Sequence, residues 1–221
     1  MSLRQDDTFT FAERFLAQNY LQENPPELQR LIMTIYRLLL GGEAVEMSAL
    51  AAAGRDPSEV RDLLALVPES AYDLGDDGRI TAFIGLSSVP TRHRLITNGQ
   101  VLHTWCAFDA LFLPGLLGLA AEIESLCPAG GGTIRIRLAA ERLEWATPSD
   151  PVLSFVTPDH EALAKDLRGE FCCQVNFFAN RDLFAVWAAD KGHMGAVSLP
   201  EALRLAKQRN ADRFPDIKPG R

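Results

Sequence analysis

The run Trp105-Cys106-Ala107-Phe108-Asp109-Ala110-Leu111-Phe112-Leu113-Pro114 constrains this chain more than any other stretch. It follows a strong hairpin signal, in which Thr97-Asn98-Gly99 separates two alternating segments, Thr91 to Ile96 and Gln100 to Trp105. Asn-Gly between such segments predicts a tight turn. The second strand runs directly into Cys106, where an apolar helix is predicted to begin and to continue to about Leu126, bent or split at Pro114-Gly115. Cys106 and Asp109 stand three apart, so on a helix they share one face. A thiol and a carboxyl set among Trp, Phe and Leu are costly to bury without a purpose.

A second anchor is Phe171-Cys172-Cys173-Gln174-Val175-Asn176-Phe177-Phe178. Residues Glu170 to Phe178 read as a strand, which aims Cys172 and Cys173 to opposite faces. Only one of the two can then easily meet Cys106, and the other is expected to be a bystander. Two thiolates in a dry, aromatic setting match a soft metal ion. The start of a helix favours the Cys106 thiolate by only ~0.3–1 kcal/mol. Asp109 opposes it more strongly: two like charges ~4 Å apart cost ~4 kcal/mol at an effective dielectric of 20, about three pKa units. The Cys106–Asp109 pair is therefore expected to keep one proton between them.

Composition bounds the rest. The 221 residues allow one large domain or two small ones, and 47% hydrophobic with 23% charged residues excludes wholesale disorder. A net charge of −7 disfavours nucleic acid as the main partner. The longest apolar stretch, Ala110 to Ala121, is too short to span a membrane and is interrupted by Pro114 and Gly115. No basic, apolar leader opens the sequence, so a cytoplasmic location is expected, and with it four reduced cysteines: Cys106, Cys127, Cys172 and Cys173. None forms a C-x2-C pair, which argues against structural zinc. Cys127 reads as a buried small hydrophobe. His93, His103, His160 and His193 are scattered and read as surface or structural.

Taken in order, the chain suggests an α+β fold in which an N-terminal winged-helix-like helical unit precedes a mixed domain of short antiparallel sheets packed with helices. Residues 1–25 form an arm in which positions 11, 15 and 16 suit a short amphipathic helix. Residues 26–85 hold three helical patterns and a Gly75-Asp76-Asp77-Gly78 hairpin. That outline is shared with DNA-binding proteins, but residues 1 to 90 carry 7 Arg and no Lys against 14 acidic residues, a surface that repels phosphate. A packing module is the expectation. Residues 86–212 read as the mixed domain that carries both cysteine segments: Thr133 to Leu138 alternates as a half-buried strand, Leu143 to Ala146 and Val152 to Val156 are shorter strand candidates, and Thr157-Pro158-Asp159-His160-Glu161 caps a helix ending at Gly169. A helix from about Asp182 to Lys191 follows, and Ser198-Leu199-Pro200-Glu201 is a capping box that opens the last one. Residues 213–221 are expected to fray.

The Trp-Cys-Ala-Phe-Asp-Ala-Leu-Phe-Leu-Pro run, Cys127 and the Phe-Cys-Cys run together resemble the alkylmercury (organomercurial) lyases, over roughly residues 40 to 210. The resemblance implies that Cys106 and Cys172 bind mercury, that Asp109 transfers a proton, and that Cys127 is structural. The implied reaction is protonolysis of a carbon–mercury bond, giving a hydrocarbon and Hg(II) on the paired cysteines. It needs no organic cofactor; its partners are small thiols and, as an acceptor of Hg(II), a mercuric reductase. Some members of the family carry His near positions where this chain has Gln174 and Asn176, a departure that bears on substrate range. The alternative is a thiol-based metal-binding or metal-sensing protein of the same fold without lyase turnover.

Overall fold

The computed structural model describes residues 9–10, 12–13, 24–52, 56–156, 162, 165–191 and 194–217. Pro25-Pro26 opens helix α1 (Pro26–Leu39), with Pro at the first helical position, where its missing N–H costs nothing. Its apolar stripe Leu28, Leu31, Ile32, Ile35, Tyr36 and Leu39 is fully buried. Helices α2 (Met47–Ala52) and α3 (Pro57–Leu64) follow; Asp56 caps α3 by accepting the Ser58 N–H at 2.8 Å. Strands β1 (Tyr72–Leu74) and β2 (Ile80–Phe83) form the expected hairpin.

That hairpin is one edge of an eight-stranded antiparallel sheet. Strands β3 (Leu86–Ser87), β4 (His93–Thr97), β5 (Gln100–Thr104), β6 (Ala120–Leu126), β7 (Thr133–Ala139) and β8 (Arg142–Thr147) complete it, in the order β1-β2-β3-β5-β4-β6-β7-β8. Asn98 and Gly99 turn the β4–β5 hairpin with φ of 50° and 78°. Ile134, Ile136 and Leu138 of β7 all face the core, as their alternation predicts. A second sheet of three strands holds β9 (Val152–Val156) between β10 (Phe177–Phe178) and β11 (Met194–Ser198).

Helix α4 (Ala107–Leu117) lies in the centre, and ten of its eleven residues are buried. A helix apolar all round belongs in a core. It does not run on to Leu126. Gly118 ends it in the left-handed conformation at φ 67°, and Ala120–Leu126 continues as β6. The burial of Ala121, Ile123 and Ser125 follows a two-residue period there, and pairing with β4 and β7 supplies hydrogen bonds to both edges.

The expected strand over Glu170 to Phe178 is also corrected. Helix α5 (Leu167–Glu170), a 3-10 turn (Cys172–Gln174) and the two-residue β10 occupy it. Helix α6 (Arg181–Ala188), capped by the Asn180 side chain, precedes β11. The final helix α7 (Leu199–Arg213) starts with the predicted Ser198–Glu201 capping box and packs on α4, where Asn210 Nδ2 donates to the Phe112 carbonyl at 2.9 Å. The segment beyond α7 does not fray at once: Phe214 is buried, and Gln29 donates to Asp216 at 3.5 Å. The amphipathic helix expected around positions 11, 15 and 16, and the helix start at 157–161, lie outside the described residues.

Candidate active site

Cys106 is the N-cap of α4, held in extended backbone at φ −142° by the end of the β5 strand. Its Sγ accepts the Asp109 N–H at 3.4 Å, while the Asp109 carboxylate accepts the Cys106 N–H at 3.0 Å. This is a reciprocal capping box built with a thiol in place of the usual hydroxyl. It fixes the thiol and the carboxyl side by side on the first helical turn.

The 3-10 turn brings Cys172 to them. The Ala107 N–H donates to the Val175 carbonyl at 3.0 Å, tying the start of α4 to the segment just after the turn. Ser154 of β9 braces that segment from the other side: its hydroxyl donates to the Gln174 carbonyl at 2.6 Å and accepts the Asn176 N–H at 2.8 Å. The ligand atoms of Cys106, Asp109 and Cys172 all lie within 4.8 Å of one another, and all three residues are buried. Cys173, next in sequence, is exposed. The two cysteines diverge as expected, but through a 3-10 turn instead of strand alternation.

The surroundings hold protons on this cluster. Burial pushes the Cys106 thiol well above its usual range, helped by its hydrogen bond to Cys172 and by the charge of Asp109. Cys172 is pulled down by its hydrogen bond with Cys106, yet burial and the Asp109 charge outweigh that and leave it raised. Burial pushes Asp109 up to about 6, against its hydrogen bonds with Cys106 and the field of Arg209. The expected retention of protons agrees in direction. Its leading cause for Cys106 and Asp109 is the loss of water, not the mutual charge that the sequence suggested.

A cavity of about 40 Å³ opens onto Asp109 and Cys172, walled by Gly85, Trp105, Phe108, Phe112 and Phe171 among others. Gly85 has φ 96°, and a Cβ there would stand 2.5 Å from Asp109 Cγ. Only glycine lets the backbone close on the carboxyl this tightly. Arg209 and Arg213 of α7 complete the lining. Sequence reasoning missed Gly85, Ser154 and Arg209. Arg209 carried a signal: it falls on the buried face of α7 with Ala202, Leu205 and Ala206, at helical spacing.

The remaining candidates lie elsewhere. His93 is buried against Ser125, 2.9 Å from its hydroxyl, and burial pushes it down to about 3, so it stays neutral. His103 Nδ1 accepts the Thr91 N–H at 3.1 Å on the strand surface. His160 and His193 lie outside the described residues. Cys127 is buried apart from the cluster, near Gly131. Gln174 and Asn176 belong to the bracing of the turn, with Asn176 Nδ2 donating to the Cys173 carbonyl at 3.3 Å.

Two buried thiols and one carboxyl, converging at a helix N-terminus in an α+β frame of antiparallel sheets, define a protein equipped for a soft, thiophilic metal. Comparison with known proteins narrows that class. The alkylmercury lyase profile matches residues 86–209. An alkylmercury lyase of Streptomyces lividans is 38% identical over 169 residues, covering 76% of this chain and 75% of that protein. One from Pseudomonas putida is 34% identical, covering 82% and 84%, and one from Staphylococcus epidermidis 30%, covering 89% and 88%. The crystal structure of the mercury-bound form of MerB2 has the same fold, with a TM-score of 0.75 at 23% identity over 93% of this chain and 98% of that one. The chain belongs to the alkylmercury lyase family.

Proposed function

We infer that this protein cleaves the carbon–mercury bond of organomercury compounds by protonolysis, with Cys106, Cys172 and Asp109 as the reacting groups. The observation that carries this reading is the approach of both sulfurs and the carboxyl to within 4.8 Å in a buried site. Cys172 lines the cavity and Cys106 does not, so Cys172 meets the incoming R–Hg–thiolate first. Its proton leaves on the displaced thiolate as the new Hg–S bond forms. Cys106 then adds its sulfur to mercury and gives its proton to the Asp109 carboxylate. Asp109 delivers that proton to the mercury-bound carbon, R–H departs, and Hg(II) stays on the two cysteines. Asp109 ends the cycle ionised, as it began the second step. A carboxyl whose pKa is raised to about 6 is suited to both taking and giving the proton near neutral pH.

Mercury is substrate and product, and no organic cofactor enters the scheme. Small thiols remove Hg(II), and a mercuric reductase is the downstream acceptor. A reducing cytoplasm suits the four free thiols; no described helix is long and apolar enough to cross a membrane. We read residues 26–85 as a winged-helix-like packing module and 86–212 as the catalytic part. Incubation of the purified protein with phenylmercury and excess thiol is expected to release benzene catalytically. Tight mercury binding without benzene would favour the metal-binding alternative and reject the lyase.

A further inference from the structure

Arg209 lines the same cavity as Cys172 and Asp109; its field favours the Asp109 carboxylate, and the protonolysis steps above route no proton or bond through it. It is only 4% exposed. Its guanidinium stacks 3.5 Å over the Phe112 ring and donates one hydrogen bond, 3.3 Å long, to Asn210 Oδ1. Among the described residues no carboxylate stands in ion-pair range of it. A guanidinium has five N–H donors in a planar fork, and a buried one without a counter-ion is costly to keep. The Asp109 carboxylate feels the field of Arg209 but makes no ion pair with it, and it accepts the Cys106 N–H. Arg213, one turn further along α7, adds a second cationic side chain to the same wall. The site is therefore an apolar cleft lined by the Cys172 thiol and by two cationic side chains.

We propose that Arg209 is a carboxylate-recognition subsite for the small thiol that removes Hg(II) from the cysteine pair. This rests on the lyase reading above. Once the hydrocarbon leaves, the cavity beside Cys172 is empty. Its volume of about 40 Å³ suits a carboxylate and its methylene, the space of roughly three water molecules. A thiol carrying a carboxylate one or two carbons from sulfur docks the carboxylate on the guanidinium fork, which places its sulfur over the mercury. The new sulfur bonds to mercury as the bond to Cys172 breaks, and the proton of the incoming thiol passes to the Cys172 sulfur. A second thiol repeats the exchange at Cys106. No electrons are transferred in either step.

The test follows Hg(II) loss from the full-length protein loaded with one equivalent, using mercaptoacetate, 2-mercaptoethanol and cysteamine as acceptors. Each rate is divided by the rate of the same thiol toward a mercury–dithiol complex in solution, which removes intrinsic reactivity. Wild type is expected to favour mercaptoacetate over 2-mercaptoethanol by ~10-fold or more after that correction, the scale of a charge-assisted hydrogen bond. This preference would run against the protein's own net charge of −7. Arg209→Met keeps the aliphatic packing and should bring the ratio to within about twofold of solution. Arg209→Lys, which keeps charge without the fork, should retain part of the preference. Only preparations whose circular dichroism and melting transition match wild type are compared, because an unfolded fraction holding Hg(II) on its free cysteines would itself show no preference. No preference in wild type, or an unchanged one in Arg209→Met, overturns the subsite. A carboxylate preference seen only between 4-carboxyphenylmercury and phenylmercury as substrates overturns its assignment to the thiol. Failure of every thiol to discharge the protein would sink the lyase cycle and the subsite together, an outcome distinct from discharge without charge preference.

Discussion

Asp109 is buried, and burial outweighs both its hydrogen bonds with Cys106 and the field of Arg209, pushing its carboxyl up to about 6 from an ordinary 3.8. Across that window the folded protein holds a proton that the unfolded chain has lost. Native stability on this group's account therefore falls as pH rises from about 4 to about 6, by ~3 kcal/mol in all, and is flat above. Asp109→Asn removes the buried charge but can still accept the Cys106 N–H. In urea denaturation the variant should be the more stable protein at pH 8, with the gap closing as pH approaches 4. Its chemistry should fail: preloaded with phenylmercury, it should release benzene ~10²–10⁴-fold more slowly while still capturing the organomercurial. Near-wild-type release would reduce Asp109 to a helix cap. Gly85→Ala probes the same carboxyl from outside. A Cβ 2.5 Å from Asp109 Cγ, on a backbone at φ 96°, should cost ~1–3 kcal/mol of stability and displace the carboxyl. Benzene release should drop at least ~10-fold while the mercury stoichiometry stays at one; equal losses of both would mean that the change acts only through folding.

At the scale of elements, the turn that carries the second cysteine matters most. In a 3-10 turn, Cys172 is 5% exposed and lines the cavity, while Cys173 is exposed. Cys172→Ser should abolish hydrocarbon release, and Cys173→Ser should leave it within a few-fold of wild type. Reversal of the two would show that the turn flips in solution to present the other thiol. The turn owes its shape to hydrogen bonds from neighbouring elements, chiefly Ser154 on β9 and the first N–H of α4. Nothing within Cys172-Cys173-Gln174 itself favours a 3-10 turn over a strand. A run of Phe, Cys, Val and Phe suits the pleat on propensity alone.

Across the whole molecule, Tyr36 links the N-terminal helices to the wall of the site. Tyr36 on α1 donates its hydroxyl to the Ile84 carbonyl at 2.8 Å, and the Ile84 N–H donates to the Ala71 carbonyl at 2.8 Å. These bonds hold the Ile84-Gly85 turn, with φ of 39° and 96°, against Asp109 and Trp105. The hairpin of the N-terminal unit continues through β3 into β5, the strand whose end at Thr104 leads into Cys106. The helical unit is thus structurally continuous with the cavity wall. Tyr36→Phe leaves the Ile84 carbonyl unpaired in a buried place and should cost ~1–3 kcal/mol. If α1 steadies the wall, benzene release should slow several-fold even well below the melting temperature, with mercury capture unchanged. A loss of stability without any change in single-turnover rate would confine α1 to packing.

The local features that the sequence determined by itself are those whose causes are local. Asn98-Gly99 specified its turn, the alternation of Ile134, Ile136 and Leu138 specified β7, and Asp56 and the Ser198–Glu201 pair specified helix starts. The spacing of Cys106 and Asp109 placed both on one helical turn, because a three-residue step needs no information from elsewhere. Tertiary structure decided the rest. Ala120–Leu126 became a strand because β4 and β7 offered hydrogen bonds on both sides after Gly118 had stopped the helix. Cys172 reached the first cysteine because Ser154 and α4 bent its segment. Gly85 and Arg209 entered the site from residues over twenty positions before Cys106 and a hundred after it. Such convergence depends on long-range pairing and burial, which no pattern within a single segment encodes.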